Sequence, residues 1–353
     1  MASRSSMAGM AALVTAALFL TMSRAQGQLQ VGFYSTTCPN AEAIVRQAVT
    51  AAFANDPGVI AGLIQLHFHD CFVEGCDASV LLSVNPGGGQ TERDAPPNNP
   101  SLHGFDSATG FEVVDAARAA LEQSCPRTVS CVDILAFAAR DSVNLTEGNA
   151  FCQVPTGRRD GSILTIDSAF GLPSPNLTAD GLIQSFKNRD EEMVILSGAH
   201  TLGRSHCDSF IFKNRERLAN GTISPTYQAL LEALCPTNTV QVTNVTTMID
   251  LSTPTVLDNN YYKLLQLNLG LHFSGDQLIR NATLKASKEK FIAAMIKMGN
   301  IEPKTGAQGE IRLNCSVVNP PPSSSSASVR AIEMLRPVVD DNTPHGDAEV
   351  ATS

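Results

Sequence analysis

The chain has 353 residues, of which 43% are hydrophobic and 17% are charged, so it is long enough to bury a sizeable core. Its formal net charge of −9 argues against general binding to nucleic acid, which needs a basic surface. No run of like charges suggests an arm that binds a polyanion, so we expect no nucleic-acid partner.

The N-terminal residues have the pattern of a secretory signal peptide. Arg4 gives a charged start, an apolar stretch runs from about Met7 to Met22, and the small residues Ala25 and Gly27 offer cleavage sites. The apolar stretch is short and rich in alanine for a membrane span, although a membrane anchor is the alternative interpretation. We therefore expect a signal peptide over residues 1–27 and a secreted protein without a membrane segment.

Cysteines and glycosylation sequons fit secretion. Cysteines in a secreted chain predict disulfides, but eight of them allow about 105 pairings, so spacing cannot set the connectivity. The nine cysteines leave at least one thiol unpaired or paired between chains; they stand at positions 38, 71, 76, 125, 131, 152, 207, 235 and 315. Six Asn-x-Ser/Thr sequons fit a glycoprotein and begin at Asn144, Asn176, Asn220, Asn244, Asn281 and Asn314.

Apolar residues at helical spacing dominate the middle of the chain, whereas period-2 alternation is scarce. Helical patterns include Ile44, Val45, Ala48, Val49 and Ala52, then Val113, Ala117 and Leu121, then Ile292, Met295 and Ile296. From Pro320 the composition changes to proline and serine and then to a polar tail. We expect residues 320–353 to be disordered or a sorting extension.

The first chemical pattern lies around His69. Gln65 and His69 stand four positions apart, so on a helix they share one face, with Phe68 beside them. Imidazole is well suited to proton transfer near neutral pH. His67 faces elsewhere, but an unrelated secreted metalloprotein that uses His67 and His69 for zinc is an alternative interpretation.

The residues after His69 suit a calcium ion. Calcium takes six to eight oxygen ligands, often from one tight loop, and a short disulfide between Cys71 and Cys76 could close such a loop. Spacing alone leaves a solvated acidic turn as the alternative. The candidate ligands are the carboxylates of Asp70 and Asp77, the carbonyls of Val73 and Gly75, and the hydroxyl of Ser79.

The second chemical pattern is His200, which follows an apolar run from Met193 to Ala199 that favours a helix. Together the segments Leu66–Ser79 and Ile195–Gly203 resemble the distal and proximal haem sites of the plant secretory (class III) peroxidases. Further motifs extend the resemblance over roughly Gln28 to Asn319, among them Phe33-Tyr34-x3-Cys38-Pro39, Gly157-Arg158-Arg159-Asp160-Gly161, Leu172-Pro173-Ser174-Pro175 and Gly309-Glu310-Ile311-Arg312-x2-Cys315.

The resemblance implies an all-α haem peroxidase fold over residues 28–319, with haem b between distal and proximal helical halves. It implies two Ca²⁺ ions and a monomer. His69 would be the catalytic acid and base, Asn98 its hydrogen-bond partner, and His200 the axial ligand of the haem iron. Glu92 would join the distal calcium through water, and Pro173 matches the substrate-channel proline. The proximal calcium ligands would be Thr201, Asp250, Thr253, Val256 (carbonyl) and Asp258.

The same resemblance implies the disulfides Cys38–Cys125, Cys71–Cys76, Cys131–Cys315 and Cys207–Cys235, with Cys152 left over. The sequence departs from the family at Gln65, which stands where the family carries its distal arginine. A neutral amide lacks the charge and the fork of donors of arginine. A second departure concerns the carboxylate partner of the proximal histidine, where the match places either Gly275 or, with a slip of one residue, Asp276.

We therefore expect a secreted haem peroxidase that reduces hydrogen peroxide and oxidises small phenolic donors. Gln65 is expected to slow peroxide activation, because losing a preorganised electrostatic group costs about 10²–10³ in rate. The alternative is a catalytically impaired haem-binding homologue that acts as a secreted binding protein. The donor substrate is not readable from the motifs, and the C-terminal tail could direct the protein to the vacuole.

Overall fold

The computed structural model describes residues 28–83, 85, 87–95, 98, 108–147, 151, 153–162, 165–174, 177–186, 190–235, 245–271 and 288–320. The expected signal peptide, residues 1–27, lies outside the described residues. So does the tail expected over 320–353, apart from its first residue. The residues that carry the site belong to one unit, which ends at Val318.

Helices make up most of the described chain, and the all-α prediction is confirmed. The apolar spacing of the first helix buries Val45 and Val49, as the sequence pattern predicts. A membrane span would need a longer and more apolar helix than any among the described residues. The helices are α1 (Ala41–Asn55), α2 (Val59–Val73), α3 (Ala108–Ser124), α4 (Cys131–Glu147), α5 (Ala179–Ser185), α6 (Asp190–Ser197), α7 (Ile211–Ala219), α8 (Pro225–Leu234), α9 (Asn260–Gln266) and α10 (Lys288–Met298).

Short 3-10 helices and two ribbons of strand complete the described fold. β1 (Gln30–Val31) pairs antiparallel with β2 (Pro155–Thr156), and β3 (Arg204–His206) pairs antiparallel with β4 (Thr246–Met248). The second ribbon follows His200 closely, so it brings the chain around 200 next to the chain around 250. The 3-10 helices are Ser79–Leu81, Glu92–Asp94, Asp167–Gly171, Gly198–Thr201 and Cys207–Ser209.

Two hydrophobic clusters form the core. The larger one is built mainly from α1, α2, α3, α4 and α10, and the smaller one from helices α5 to α9. Phe68 and Phe72 on α2 and Leu196 on α6 pack against both clusters. The helix that carries His69 and the helix that precedes His200 therefore both lie where the two clusters meet.

The buried carboxylate of Asp133 links parts of the chain that are distant in sequence. Asp133 on α4 accepts a hydrogen bond from the Tyr34 hydroxyl at 2.8 Å and forms an ion pair with Arg158 at 2.7 Å. The Arg158 guanidinium also donates twice to the carbonyl of Gly299, just after α10, at 2.8 and 2.6 Å. Because the side chains of Asp133 and Arg158 are at most 1% exposed, each needs the other for compensation of its charge.

Four disulfides join the pairs that the resemblance implied, and Cys152 lies outside the described residues. The disulfides are Cys38–Cys125, Cys71–Cys76, Cys131–Cys315 and Cys207–Cys235.

The burial of one sequon argues against glycosylation there. Asn144 is 8% exposed, and its amide group donates to the carbonyl of Phe151 and accepts from the nitrogen of Phe151, both at 2.8 Å. Its nitrogen is therefore engaged inside the fold, which argues against a glycan there.

Candidate active site

Gln65 and His69 share one face of α2, as their spacing predicts. The Nε2 atoms of the two side chains lie 3.4 Å apart. His67 points elsewhere: it is 4% exposed, and its Nδ1 lies 3.8 Å from the sulfur of Cys71. The helix thus presents Gln65 and His69 together and keeps His67 buried on another face.

The proton of His69 is placed by a chain of three residues. The Asn98 amide nitrogen donates to the carbonyl of Glu92 at 2.9 Å, so the Asn98 oxygen must be the atom that faces His69. That oxygen lies 2.6 Å from Nδ1 of His69 and can only accept a hydrogen bond. Nδ1 therefore carries the proton, and the lone pair of Nε2 is left on the side of Gln65.

His69 is a neutral base at physiological pH. Burial lowers the pKa of His69 to about 4, and the hydrogen bond with Asn98 works in the opposite direction. The imidazole is therefore unprotonated over most of the pH range of life. A neutral imidazole with its lone pair at Nε2 can accept a proton from a molecule held on this face of α2.

The last turn of α2 and the segments that follow it contain carboxylates without an adequate protein partner. Both carboxylate oxygens of Asp70 are buried without a well-formed hydrogen bond among the described residues, and so are the Ser79 hydroxyl and both carboxylate oxygens of Glu92. Such groups are normally satisfied when buried. Gly75 has φ +80°, and a Cβ there would lie 2.8 Å from the Glu302 carbonyl, so only glycine fits this tight turn.

The electrostatics of this cluster of carboxylates favour a bound cation. Burial raises the pKa of Asp70 well above its usual value, and the charges of Asp77 and Glu92 raise it further. Burial also raises the pKa of Glu92 to about 8, with added repulsion from Asp77 and Glu74. A hard divalent cation such as Ca²⁺ would remove this repulsion and satisfy the buried oxygens. The residues therefore fit the expected distal calcium ligands.

His200 lies in the 3-10 helix that continues from α6. Burial lowers the pKa of His200 to about 4, so its imidazole is neutral near pH 7 and able to ligate a metal. Its ring packs 5.4 Å from the ring of Tyr261, measured between centroids. Gly203, at φ +89°, lies so close to α2 that a Cβ would approach the Cβ of Ala61 to 2.6 Å. Glycine therefore permits the contact between the chain after His200 and the start of the distal helix.

A second group of oxygens converges beside His200. The Thr201 hydroxyl lies 3.1 Å from a carboxylate oxygen of Asp250, and 3.2 Å from both the Val256 carbonyl and a carboxylate oxygen of Asp258. A hydroxyl has one proton, so it can donate to only one of these three acceptors. The Thr253 hydroxyl lies 3.5 Å from Asp250 in the same cluster. This donor set also fits calcium, which would compensate the two carboxylates.

The zinc alternative gains no support from the geometry. No group of three or more His, Cys, Asp or Glu side chains within the described ranges is arranged to hold a metal ion by itself. His67 and His69 face different surroundings on α2, as shown above. The two calcium-type clusters differ from a zinc site because they combine carboxylates with hydroxyl and carbonyl oxygens.

Other expected residues are placed less informatively. Phe68 belongs to an aromatic cluster, with ring centroids 4.4 Å from Phe72 and 6.3 Å from Phe186. Pro173 is partly buried and lies two residues after the 3-10 helix Asp167–Gly171. Gly275 and Asp276, the alternatives for a partner of His200, lie outside the described residues.

Three residues near the site were not singled out from the sequence. Phe186 packs on Phe72 with ring centroids 4.8 Å apart, and Tyr261 packs on His200. Lys304 donates a hydrogen bond to the carboxylate of Asp77. None of these residues stands in a local motif, so only the folded chain reveals the contacts.

Comparison with known proteins gives the family. The family model described as peroxidase matches residues 45–294. Peroxidase 1 of Zea mays is 56% identical over 349 residues, which cover 91% of this chain and 93% of that protein. Peroxidase 5 of Vitis vinifera is 45% identical (86% and 95% covered), and peroxidase 15 of Ipomoea batatas is 42% identical (85% and 95% covered). The chain therefore belongs to the peroxidase family, alongside plant class III peroxidases, and is a peroxidase oxidoreductase.

Proposed function

We propose that this chain holds haem b between His69 and His200, reduces hydrogen peroxide, and oxidises small phenolic donors. The observation that carries the proposal is the fixed tautomer of His69, in which Asn98 holds the proton on Nδ1 and leaves Nε2 as the base. The neutral imidazole of His200, on the segment that approaches α2 through Gly203, would hold the haem iron in this proposal. Membership of the peroxidase family supports both assignments.

His69 moves one proton in the proposed reaction. Bound haem would supply the iron centre at which the O–O bond of peroxide is cleaved and which accepts electrons from donors. Nε2 of His69 takes the proton from one peroxide oxygen and returns it to the other, which leaves as water. Asn98 keeps Nδ1 protonated throughout, so the same nitrogen, Nε2, serves as base and then as acid.

Gln65 is the residue of this arrangement that supports peroxide activation least. Its amide is a neutral donor, so it can orient peroxide but offers no positive charge to peroxide as it loses its proton. A lost electrostatic group of this kind typically slows a reaction by about 10²–10³. We therefore infer that peroxide activation is retained through His69 but is slower than with an arginine at position 65.

Two calcium ions complete the proposal. Asp70, Asp77 and Ser79, with the carbonyls of Val73 and Gly75, would hold the distal ion, and Glu92 would reach it through water. Because the Glu92 carbonyl orients Asn98, the distal ion and the tautomer of His69 are coupled through one residue. Thr201 and the carboxylates of Asp250 and Asp258 would hold the proximal ion next to His200, together with Thr253 and the Val256 carbonyl.

We further infer the domain organisation, localisation and partners of the protein. Residues 1–27 act as a signal peptide, residues 28–319 form a secreted monomeric peroxidase domain, and residues 320–353 form a tail that could lead to the vacuole. Pro173, which is partly buried, lines the approach of phenolic donors. Neither nucleic acid nor a membrane takes part.

The test is stopped-flow absorbance of the haem-reconstituted, calcium-loaded protein mixed with hydrogen peroxide. We expect a change of the ferric Soret band whose rate rises about 10²-fold or more in Gln65→Arg, because arginine restores the missing charge. Gln184→Arg adds the same charge at an exposed position on α5 and serves as the matched control, with an unchanged rate. A flat response to Gln65→Arg would mean that the distal amide does not limit the reaction.

The second candidate function is an impaired haem protein that binds rather than catalyses. The replacement of arginine by Gln65 is the observation that favours it. It predicts a normal ferric Soret band that peroxide hardly changes in the wild type and in Gln184→Arg, but that responds in Gln65→Arg. A fast wild-type response would reject it.

A further inference from the structure

Lys304 brings a positive charge to the distal calcium cluster. Its ammonium group donates a hydrogen bond to one carboxylate oxygen of Asp77, the residue 227 positions earlier in the chain. The Asp77 side chain is 0% exposed, whereas the Lys304 side chain is 26% exposed. Asp77 is therefore shared between a lysine at the surface of the fold and a cluster of buried oxygens.

The backbone holds Lys304 at this place. The Cys76 nitrogen donates to the Ile301 carbonyl at 3.0 Å, so the chain just before Lys304 lies directly on the loop. The Lys304 carbonyl accepts a hydrogen bond from the Arg159 nitrogen at 2.8 Å. Because contacts fix both the approach to Lys304 and Lys304 itself, its ammonium can reach Asp77 with little further loss of freedom.

The effect of this contact on calcium binding depends on the charges in the cluster. The other carboxylates of the cluster, Asp70 and Glu92, are buried without well-formed hydrogen bonds among the described residues, so they gain most from a cation. Lys304 already compensates part of the charge on Asp77, and its ammonium repels a second cation at short range. Calcium affinity in proteins depends on the charge of the ligand set. A lysine on one ligand should therefore weaken calcium binding.

We propose that Lys304 competes with the distal calcium ion for the carboxylate of Asp77: it weakens calcium binding and holds Asp77 when calcium leaves. The proposal rests on the distal calcium site of the proposed function. It has two consequences. Calcium dissociates more readily than it would with a neutral residue at position 304, and the calcium-free loop keeps one cation on its carboxylates.

The first experiment measures calcium affinity of the full, haem-reconstituted chain by competition with a fluorescent chelator. The distal component is the one that Asp70→Asn removes. We expect Lys304→Gln to tighten this component about five- to tenfold, because one positive charge is lost beside a ligand. Lys304→Arg keeps the charge and should resemble the wild type. Lys297→Gln, which removes an exposed lysine that pairs with Glu192, is the matched control and should also resemble the wild type.

The second experiment measures the midpoint of thermal unfolding with calcium and with a chelator. Chelation should lower the midpoint more in Lys304→Gln than in the wild type or in Lys297→Gln, because no cation then remains on Asp77. Lys304→Met provides a second neutral variant. If neither neutral variant folds in saturating calcium, Lys304 is a required part of the fold and the proposal is overturned.

The remaining outcomes are decisive as well. An unchanged or weaker distal affinity in Lys304→Gln overturns the competitor role. If Asp70→Asn removes no component of calcium binding, the distal calcium site is overturned and this proposal with it. The peroxide reaction is measured separately, so an absent Soret response would count against the proposed enzyme without changing either calcium result.

Discussion

The proton on His69 is controlled from Nδ1, the ring nitrogen that faces Asn98 and not Gln65. Asn98 can present only its oxygen to His69, because its nitrogen is committed to the Glu92 carbonyl. Glu92 in turn starts a 3-10 helix that is tied at its N-terminus, where the backbone nitrogen of Thr91 donates to the Asp94 carboxylate at 2.7 Å. The protonation state of the proposed base is thus set by a short, locally fixed segment.

Replacing Asn98 by leucine should expose this control. Without an acceptor at Nδ1, the proton can move to Nε2, so we expect the rate of the Soret change with peroxide to fall about tenfold or more. The wild-type rate should fall only as pH drops toward about 4, the pKa to which burial lowers His69. In Asn98→Leu the pH profile should change shape, which a merely structural defect would not cause. Asn40→Leu, at an exposed asparagine without a side-chain cap hydrogen bond, is the control.

At this scale the sequence was most informative where motifs are local. The spacing of Gln65 and His69 predicted their shared face, since helix geometry alone decides it. The direction of the Asn98 amide was not predictable, because it depends on the carbonyl of Glu92, six positions earlier in a short 3-10 helix. Burial of Asn144 was hidden for the same reason: a sequon carries no information about tertiary contacts.

The distal helix α2 separates two histidines by function. One face carries Gln65 and His69, and another carries His67, buried beside Arg158 and the Cys71–Cys76 disulfide. Helical spacing of apolar residues predicted α1, α3 and α10, and the apolar run before His200 favoured α6. The two ribbons of two or three residues per strand are too short to leave an alternating pattern. The ribbons arise from tertiary contacts, which bring distant segments into register.

His67 should make the fold sensitive to acid. Burial, and then the nearby Arg158, lower the pKa of His67 to about 3, below its usual 6.5. The unfolded chain therefore binds a proton at this residue between pH 6.5 and about 3 while the folded chain does not, so stability falls as pH falls through that window. In His67→Gln we expect a smaller loss of the free energy of unfolding between about pH 7 and 4, measured by urea denaturation. An equal loss in both proteins would refute this role of His67.

At the scale of the whole molecule, buried charges join parts of the chain that are far apart in sequence. Asp133, Arg158 and Gly299 connect α4 with the segments just after β2 and α10. Arg312 donates to the carbonyls of Asp77 and Ala78 at 3.2 and 2.6 Å. No local pattern marks such pairs, so they could not be predicted from the sequence. The peroxidase motifs did predict the class of fold, because they occur in the family's order along the chain.

Asp133→Asn should cost about 3–5 kcal/mol in the free energy of unfolding, because it leaves the Arg158 charge buried without its partner. Chemical denaturation of the calcium-loaded protein measures this value. Asp167→Asn removes the same charge at an exposed position and should change stability by about 0.5 kcal/mol or less. A similar small effect at Asp133 would show that Arg158 finds compensation elsewhere.

The segment after α10 has a consequence for biosynthesis. Ile301, Lys304 and Arg312 all contact the loop around Asp77, and Cys315 closes a disulfide with Cys131 at a sequence separation of 184. A ribosome releases a chain from its N-terminus onward. The loop around Asp77 is therefore translated early, but its contacts with Ile301, Lys304 and Arg312 can form only after almost the whole domain has been translated. In a nascent chain stopped before residue 301, the loop that follows the helix of His69 would lack all three contacts.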